Sequence, residues 1–242
     1  MADGGSTDGT VEILGRYTTA MANKLTWMSR PDQGLADAWN KAVSQARGDW
    51  LIFLGADDVL SARDVLSRAE PHLSRAFPEH SVVYGSVAMT DASGHVVEYL
   101  DQPWSPTKFR GCVANLPHSA VFHHRSHFAR YGPFDGSFAI TLDYDFLLRV
   151  LKDATPLHIE GFVVTNAQIG GVSTDYRHRA RAIDEHIRLC RRHIGRIPPR
   201  MYWWLAKAWG SWLLYQLGGD RLVFSVTNFY RRLVKGRPPL RR

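Results

Sequence analysis

Two adjacent carboxylates, Asp57 and Asp58, follow the short apolar run Trp50–Leu54 and stand in a Gly-Ala-Asp-Asp turn. A continuous apolar run of this length predicts a strand that is covered on both faces. Open α/β sheets bind their ligands beyond the carboxyl ends of such strands. Because hard divalent cations prefer carboxylate oxygens, the pair could bridge a cation to a diphosphate. The alternative is that Asp58 or Ser61 caps a helix that begins near Ala62.

A glycine-rich turn at residues 3–10 reads Asp-Gly-Gly-Ser-Thr-Asp-Gly-Thr and precedes a predicted helix at Val11–Tyr17. Glycine allows sharp backbone turns, and a helix N-terminus offers unpaired N–H groups. The turn is therefore a candidate binding element. The alternative is a simple capped turn in which Ser6, Thr7 or Asp8 serves as the N-cap.

Two further carboxylates, Asp143 and Asp145, enter the amphipathic run Phe146–Leu151. The helix dipole favours negative charge in the first turn, and this effect alone could explain both residues. The more specific interpretation is a general base that the start of the helix delivers into a cleft. The residues by themselves leave both interpretations open.

The elements that would position these groups alternate between strands and helices. Helical spacing is found at Val11–Tyr17, Leu35–Ala46 and Ala62–Phe77, and strand patterns at Leu25–Ser29, Trp50–Leu54, Ser81–Val87 and His95–Leu100. Such alternation predicts an α/β domain with a mainly parallel sheet flanked by helices. We expect this body to end near Asp175, after the Gly-Gly-Val-Ser-Thr segment 170–174.

Taken in order, these landmarks resemble the family 2 glycosyltransferases over about the first 175 residues. The resemblance rests on the glycine-rich turn, residues 30–34 leading to Asp37, Asn40 and Lys41, Gly48-Asp49-Trp50, the Gly-Ala-Asp-Asp turn, residues 117–122, residues 131–135, Asp143-Tyr144-Asp145 and residues 170–173. Within the family, the chain most resembles the members that build bacterial surface polysaccharides and lipid-linked oligosaccharides. It implies a GT-A fold, a nucleoside-diphosphate-sugar donor, a divalent metal (Mg²⁺ or Mn²⁺), and inverting transfer to a hydroxyl of a glycan or lipid-linked acceptor.

The resemblance also implies roles for residues on the donor side. Asp3 falls where the family contacts the nucleotide base, although many members carry a second acid where this chain has Gly4. Asp32 and Asn40 fall in the segment that lines the nucleotide pocket. Asp57 matches the metal-binding acid of the family's DxD-type motif.

The first position of that motif is Gly55, which leaves Asp57, helped by Asp58, to hold the metal. Asp143 matches the catalytic base, and Asp145, on the acceptor side, is the next candidate. One base and one metal suffice for a direct displacement, so no second carboxylate nucleophile is required.

His118 lies within the motif at residues 117–122, and His123 and His124 follow it directly. His118 could contact the acceptor or the diphosphate, but a buried structural histidine is the favoured interpretation. The adjacent His123 and His124 are expected at the surface.

The family normally begins with an apolar strand and a short loop upstream of the glycine-rich turn. We expect this first strand to be missing from residues 1–242, which would leave apolar sheet edges uncovered. A start codon upstream of Met1 or a truncated product would each explain it.

Charge divides the chain. The net charge is +7 and the pI about 9.6, yet residues from Arg177 onward hold 16 Lys and Arg against 3 Asp and Glu, and the earlier part holds 14 against 20. We expect residues 1–175 to form the GT-A domain and residues 176–242 a helical, basic, aromatic-rich extension. Because Trp, Tyr, Lys and Arg favour anionic bilayer interfaces, the extension predicts a cytoplasmic protein bound peripherally to the inner face of the cell membrane. The alternative is a helical lid packed on the body.

Composition also weighs against other classes of protein. Cys112 and Cys190 lack metal-site or disulfide spacing, which fits a reducing compartment. Met201–Leu217, interrupted by Lys207, is marginal for a bilayer span of about 20 residues. The acidic body, and Trp residues that cluster with Leu, argue against a nucleic-acid partner. A non-catalytic GT-A remnant that docks to membranes or to other transferases is the alternative function.

Overall fold

The structure is a computed structural model that describes residues 1–21, 24–110, 116–169 and 178–234. Its helices are α1 (Thr10–Ala20), α2 (Leu35–Gln45), α3 (Val65–Ala76), α4 (Pro106–Arg110), α5 (Ser126–Tyr131), α6 (Leu142–Val150), α7 (Arg179–Ile194) and α8 (Pro199–Val234). Its strands are β1 (Ala2–Asp3), β2 (Met28–Ser29), β3 (Trp50–Ile52), β4 (Val59–Leu60), β5 (Val82–Thr90), β6 (Val96–Leu100), β7 (Val121–His124) and β8 (Leu157–Gln168). Cys112, the segment 170–174 and the predicted boundary at Asp175 lie outside the described residues.

A six-stranded sheet forms the centre of the molecule, in the order β3-β7-β5-β8-β4, with β6 paired to the second half of β5. The β5–β8 pair is parallel, whereas β3–β7, β5–β7, β4–β8 and β5–β6 are antiparallel. β1 and β2 form a separate parallel pair. The α/β class is confirmed, but the sheet is mixed rather than mainly parallel. One cause is the short turn at 91–95, because a connection of this length joins strands only in antiparallel fashion.

Strand β5 separates two hydrophobic clusters. Its side chains alternate between the faces of the sheet, as the pleat of a strand requires. Val83 and Val87 pack with α3 on one face, and Val82 and Tyr84 pack with α2, α6 and α7 on the other. Helices α2 and α3, both predicted from periodicity, therefore lie where amphipathic helices must lie, with their apolar faces on the sheet.

Strand β3 differs from its expectation. Trp50, Leu51 and Ile52 are half-buried and Leu54 is 37% exposed, so the run is not covered on both faces. The reason is position: β3 ends the strand order of the described sheet and pairs on one side with β7. A continuous apolar run cannot distinguish such an edge strand from a central one.

Helix α7 and the first turns of α8 pack on the body. Ile183, Leu189 and Cys190 of α7, with Met201 and Leu205 of α8, are buried in the same cluster as the inner face of the sheet. This packing agrees with the lid alternative for this part of the extension. The division of the chain near residue 175 stays a prediction.

The other face of α8 is apolar and uncovered. Trp203, Leu213 and Leu217 are 68%, 53% and 73% exposed, and Tyr202 and Trp209 lie on the same side of the helix. The backbone leaves the helical region at Gly219, with φ of 61°, so that α8 consists of two helical segments. In the part of the chain that the structure describes, no helix combines the length and apolarity needed to cross a membrane.

Candidate active site

Asp57 and Asp58 stand on a tight turn after β3. The backbone N–H of Gly55 donates to Asp58 Oδ2 over 3.0 Å, and the N–H of Asp58 donates to the Gly55 carbonyl over 3.3 Å. A Cβ atom on Gly55 would lie 2.9 Å from Asp57 Oδ1 and 3.2 Å from Asp58 Oδ2. Both carboxylates therefore border the same small space beside the glycine.

The electrostatics of this turn suit a cation. Burial raises the pKa of Asp58, the Gly55 N–H lowers it and the charge of Asp57 raises it, so the pKa lies above its ordinary value. A bound cation would relieve the repulsion between two carboxylates. Across the described ranges, no group of three or more His, Cys, Asp or Glu side chains could hold a metal alone. This turn offers a cation two carboxylates, Asp57 and Asp58.

The helix-cap alternative for these carboxylates is wrong. Helix α3 begins at Val65, with Asp64 as its N-cap, and strand β4 lies between it and the turn. Ser61 does not cap this helix either, because its Oγ donates to the Val163 carbonyl over 2.6 Å. Asp58 instead closes its own turn through Gly55.

Asp3 organises the glycine-rich turn. Its Oδ2 accepts the N–H of Gly5 over 3.1 Å, the N–H of Ser6 over 3.0 Å and the hydroxyl of Ser29 over 2.6 Å. Hydrogen bonds from Ser29 and Ser6 hold the pKa of this carboxyl well below its ordinary value. Asp3 therefore ties the end of β1 to the end of β2. The N-cap of α1 is Gly9, without a side-chain cap hydrogen bond, so the alternative that Ser6, Thr7 or Asp8 serves as the N-cap is wrong; Asp8 Oδ1 accepts the N–H of Thr10 over 3.2 Å just before the helix.

Asp32 lies against this turn. A Cβ on Gly4 would be 2.6 Å from Asp32 Oδ2, while Asp32 Oδ1 accepts the N–H of Gly34 over 2.9 Å. The carboxylate of Asp32 thus occupies the space that a side chain at position 4 would need. The structure brings together Asp3 and Asp32, the two acids expected near the nucleotide.

Asn40 is engaged within the protein. Its Nδ2 donates to the Phe134 carbonyl and its Oδ1 accepts the Phe134 N–H, each over 2.9 Å. These bonds fasten α2 to the loop that leads towards α6. A nucleotide contact by Asn40, which the resemblance implies, would have to replace one of them.

An aromatic cluster connects the two sides of the site. Phe53 packs 5.0 Å from Phe134, and Phe134 packs 4.7 Å from Phe146 (ring centroids). Half-buried His118 stacks on Trp39 and on Phe53, and its Nε2 lies 3.2 Å from Nε2 of His123. These contacts support the structural interpretation of His118, and a contact with the acceptor or the diphosphate stays a prediction. Phe53 lies just before the Asp57 turn, and Phe146 lies just after Asp143. The same aromatic cluster therefore supports the turn that carries Asp57 and the helix start that carries Asp143.

Asp143 is half-buried at the second residue of α6. Its Oδ1 accepts the N–H of Tyr144 over 2.7 Å. Tyr144 is itself anchored, since its hydroxyl donates to the Phe109 carbonyl over 2.8 Å. The carboxylate therefore stands on a rigid helix start with part of its surface exposed, as a general base requires.

Asp145 has no exposed surface. Its Oδ1 lies 2.8 Å from His193 Nε2 and 3.3 Å from Arg192 Nη1, and its Oδ2 accepts from Arg149 Nε over 3.1 Å. These contacts use the carboxylate to join α6 to α7. The geometry therefore does not support the acceptor-side role expected for Asp145.

The surface location expected for His123 is wrong. The side chain is fully buried, and burial places its pKa well below the ordinary value. β7 is an inner strand, paired on both edges with β3 and β5, and the His123 ring packs against Phe53 and Phe146. Its neighbour His124 is partly exposed and stacks on Phe77 with ring centroids 3.8 Å apart.

Residues of α7 near Asp143 were not found from the sequence. Glu185 accepts backbone N–H groups of residues 139–141, and Arg192 and His193 contact Asp145. The sequence of a basic helical run does not indicate such contacts, because the residues that Glu185 and Arg192 contact lie more than 40 positions away in the chain.

The family model described as "Glycosyl transferase family 2" matches residues 1–132. The PGL/p-HBAD biosynthesis glycosyltransferase of Mycobacterium bovis (strain BCG / Pasteur 1173P2) is 31% identical over 175 residues, which cover 72% of this chain and 66% of that protein. The O-antigen biosynthesis protein RfbC of Myxococcus xanthus is 30% identical over 163 residues, 63% of this chain and 12% of that protein. The chain thus spans just under two thirds of the first relative.

Solved structures share the fold. The mannosyltransferase PcManGT from Pyrobaculum calidifontis, in complex with GDP-Man and Mn²⁺, has a TM-score of 0.58 at 18% identity over 97% of this chain and 70% of that chain. Residues 1–349 of S. aureus TarS, in complex with UDP-GlcNAc, have a TM-score of 0.55 at 14% identity over 97% and 64%. The structural likeness shows the GT-A fold, and the match to the family model shows that this chain belongs to glycosyltransferase family 2.

Proposed function

We propose that this protein transfers a sugar from a nucleoside-diphosphate sugar to a hydroxyl of a glycan or lipid-linked acceptor, with inversion at the anomeric carbon. The observation that carries the proposal is the pair of carboxylates, Asp57 and Asp58, which border one open space after β3 in a chain of this family. A lone binding module would not need this pair together with a half-buried Asp143 on the same aromatic cluster.

The donor side consists of Asp3, Asp32 and the Asp57 turn. PcManGT and TarS are seen with GDP-Man and with UDP-GlcNAc, which supports a nucleotide-sugar donor here. Asp57 and Asp58 would hold Mg²⁺ or Mn²⁺. When bound, such a cation neutralises charge on the leaving diphosphate.

Asp143 would act as the general base. The acceptor oxygen forms a bond to the anomeric carbon while the bond from that carbon to the diphosphate oxygen breaks. The proton of the acceptor hydroxyl passes to the Asp143 carboxylate, and the nucleoside diphosphate departs with the bonding electrons. Attack on the face opposite the leaving group inverts the configuration.

The extension would hold the protein at an anionic membrane on the cytoplasmic side, near a lipid-linked acceptor. The exposed face of α8 carries Trp203, Trp209 and Leu217, and the region from Arg177 onward is strongly basic. Aromatic side chains favour the bilayer interface and basic side chains favour anionic lipid. Relatives named for PGL/p-HBAD and O-antigen biosynthesis are in keeping with an acceptor of the cell envelope.

Donor binding tests the metal assignment. In isothermal titration with UDP or GDP, Mn²⁺ should strengthen binding to the wild type, and Asp57→Ala should abolish this Mn²⁺-dependent gain because the cation loses a ligand. Asp64→Ala, which removes an exposed carboxylate at the N-terminus of α3, is the matched control. Unchanged Mn²⁺ dependence in Asp57→Ala would reject the assignment.

Turnover tests the base and the alternative function together. Asp143→Asn should leave donor affinity unchanged and reduce transfer by about 10²–10⁴-fold, since only proton removal is lost. Wild-type protein that binds donor and neither transfers nor hydrolyses it would favour the non-catalytic docking protein.

Vesicle sedimentation tests the membrane surface. The wild type should sediment with phosphatidylglycerol-containing vesicles and much less with pure phosphatidylcholine. The double variant Trp203→Gln, Leu213→Gln should lose this binding, whereas Leu66→Gln, an equally exposed apolar residue on α3, should keep it. Equal sedimentation of both variants would reject this use of α8.

A further inference from the structure

Glu185 of α7 is a fully buried carboxylate that receives three consecutive backbone N–H groups. Its Oε1 accepts from Ala139 over 2.9 Å, and its Oε2 accepts from Ile140 over 2.8 Å and from Thr141 over 3.0 Å. These three residues lead directly into α6, and Thr141 is its N-cap. One carboxylate thus fixes the whole approach to the helix that begins with Leu142 and Asp143.

The carboxylate is held in its charged form. Burial raises the pKa of Glu185, but the three backbone N–H groups and Arg181 lower it by more, so the pKa lies below the ordinary value. Arg181 Nε donates to Oε1 over 3.0 Å from one turn earlier in α7. Hydrogen bonds to an ionised acceptor are shorter and about twice as strong as neutral ones.

A second set of contacts from α7 holds the other side of Asp143. Arg192 and His193 contact the buried carboxylate of Asp145. Arg192 also pairs with Asp135 over 2.6 Å. The residues before and after Asp143 are therefore both fixed by the same helix, although the family model ends at residue 132.

We propose that Glu185 is a positioning residue for transfer: through the backbone of residues 139–141 it sets the direction in which Asp143 meets the acceptor hydroxyl. The proposal rests on the proposed function of Asp143 as the base. Displacing a reacting group by about 1 Å can reduce a rate by about 10²-fold. Loss of the Glu185 contacts should therefore act on turnover and spare the donor site, which stands on other loops.

The test compares Glu185→Gln with Asp184→Asn in the full chain. Asp184 is the preceding residue of α7, its side chain is 67% exposed, and it pairs with Arg188. Glu185→Gln should lower kcat by about 10–100-fold, with the KM for the donor and the affinity for UDP or GDP changed less than about twofold. Hydrogen–deuterium exchange of the backbone amides at 139–141 should accelerate in the folded variant. Asp184→Asn should match the wild type in all of these readouts.

The outcomes separate the two proposals. If Asp143→Asn loses turnover and Glu185→Gln keeps wild-type kcat, the positioning role is overturned and the base stands. If Asp143→Asn keeps turnover, the proposed base fails and the positioning role fails with it. A lower melting temperature of Glu185→Gln with unchanged kcat well below that temperature would show a purely structural carboxylate. Glu185→Asp serves as the second variant, and failure of both to fold would also overturn the proposal.

Discussion

Replacing Asp145 by alanine should destabilise the protein without removing a reacting group. The carboxylate is fully buried and accepts from three side chains, His193 over 2.8 Å, Arg149 over 3.1 Å and Arg192 over 3.3 Å. Breaking a buried ion pair by removing one partner costs about 3–5 kcal/mol, because the other charge stays buried and unpaired. Arg192 is half-exposed and keeps Asp135 as a partner, so the lower end, about 3 kcal/mol, applies.

For a chain of this length, 1 kcal/mol corresponds to a shift of about 2–4 °C in the melting temperature, so Asp145→Ala should melt about 6–12 °C below the wild type. Circular dichroism or calorimetry measures this shift. Asp153→Ala is the matched control: its pair with Arg130 is exposed, and such pairs contribute about 0–1 kcal/mol. Turnover of Asp145→Ala, measured well below its melting temperature, should remain within about tenfold of the wild type, as expected of an indirect effect on Asp143.

The opposite pattern would refute this reasoning. If Asp145→Ala melts like the wild type and loses turnover as completely as Asp143→Asn, Asp145 takes part in the chemistry. The buried network would then have to open during catalysis. Equal melting shifts in Asp145→Ala and Asp153→Ala would show that burial of the network contributes little.

Two further predictions concern the packing beneath the site. Burial lowers the pKa of His123 well below its ordinary value and that of His127 to about 4, so the unfolded chain binds more protons than the folded protein below about pH 6.5. The free energy of unfolding should therefore fall as the pH decreases from about 6.5 towards 4, by up to about 1.4 kcal/mol per pH unit for each histidine, and His127→Phe should show a shallower dependence in urea titrations. Asn40→Ala should lower the free energy of unfolding by about 1–3 kcal/mol, because the N–H and carbonyl of Phe134 lose their partners; an unchanged urea midpoint would contradict the contact.

Local signals predicted the turns that carry Asp3 and Asp57 and the helix α2, while the role of these residues towards a donor stays a prediction. The Asp57 turn, the Asp3 turn and α2 are each specified by residues close together in the chain, such as the N–H of Gly55 that binds Asp58 three residues later. The structure, but not the sequence, explains why glycine stands at positions 4 and 55. A Cβ atom at either position would lie within 3 Å of a carboxylate oxygen.

What the sequence did not predict depends on distant parts of the chain. His123 lies on a strand inserted between β3 and β5 and is buried against Phe53 and Phe146, which lie 70 and 23 residues away in the chain. β3 is half-exposed because it ends the described sheet. From the sequence alone, Asp145 is a second candidate for the catalytic base. In the structure its carboxylate is bound by Arg192 and His193, which lie 47 and 48 residues later in the chain.

The candidate site is held by two kinds of contact: hydrogen bonds within a single turn, and contacts between distant parts of the chain. The carboxylates that we propose for the donor are fixed by hydrogen bonds within their own turns, such as those that Asp3 accepts from Gly5 and Ser6. Asp143 is fixed from outside its motif, because Glu185 of α7 holds the backbone that leads into its helix. We therefore expect changes in α7 to alter the placement of the proposed base while the proposed donor site stays unchanged. α7 also packs against α8, whose other face carries the exposed apolar surface that we propose for the membrane, so α8 connects that surface to the helix that we propose to position Asp143.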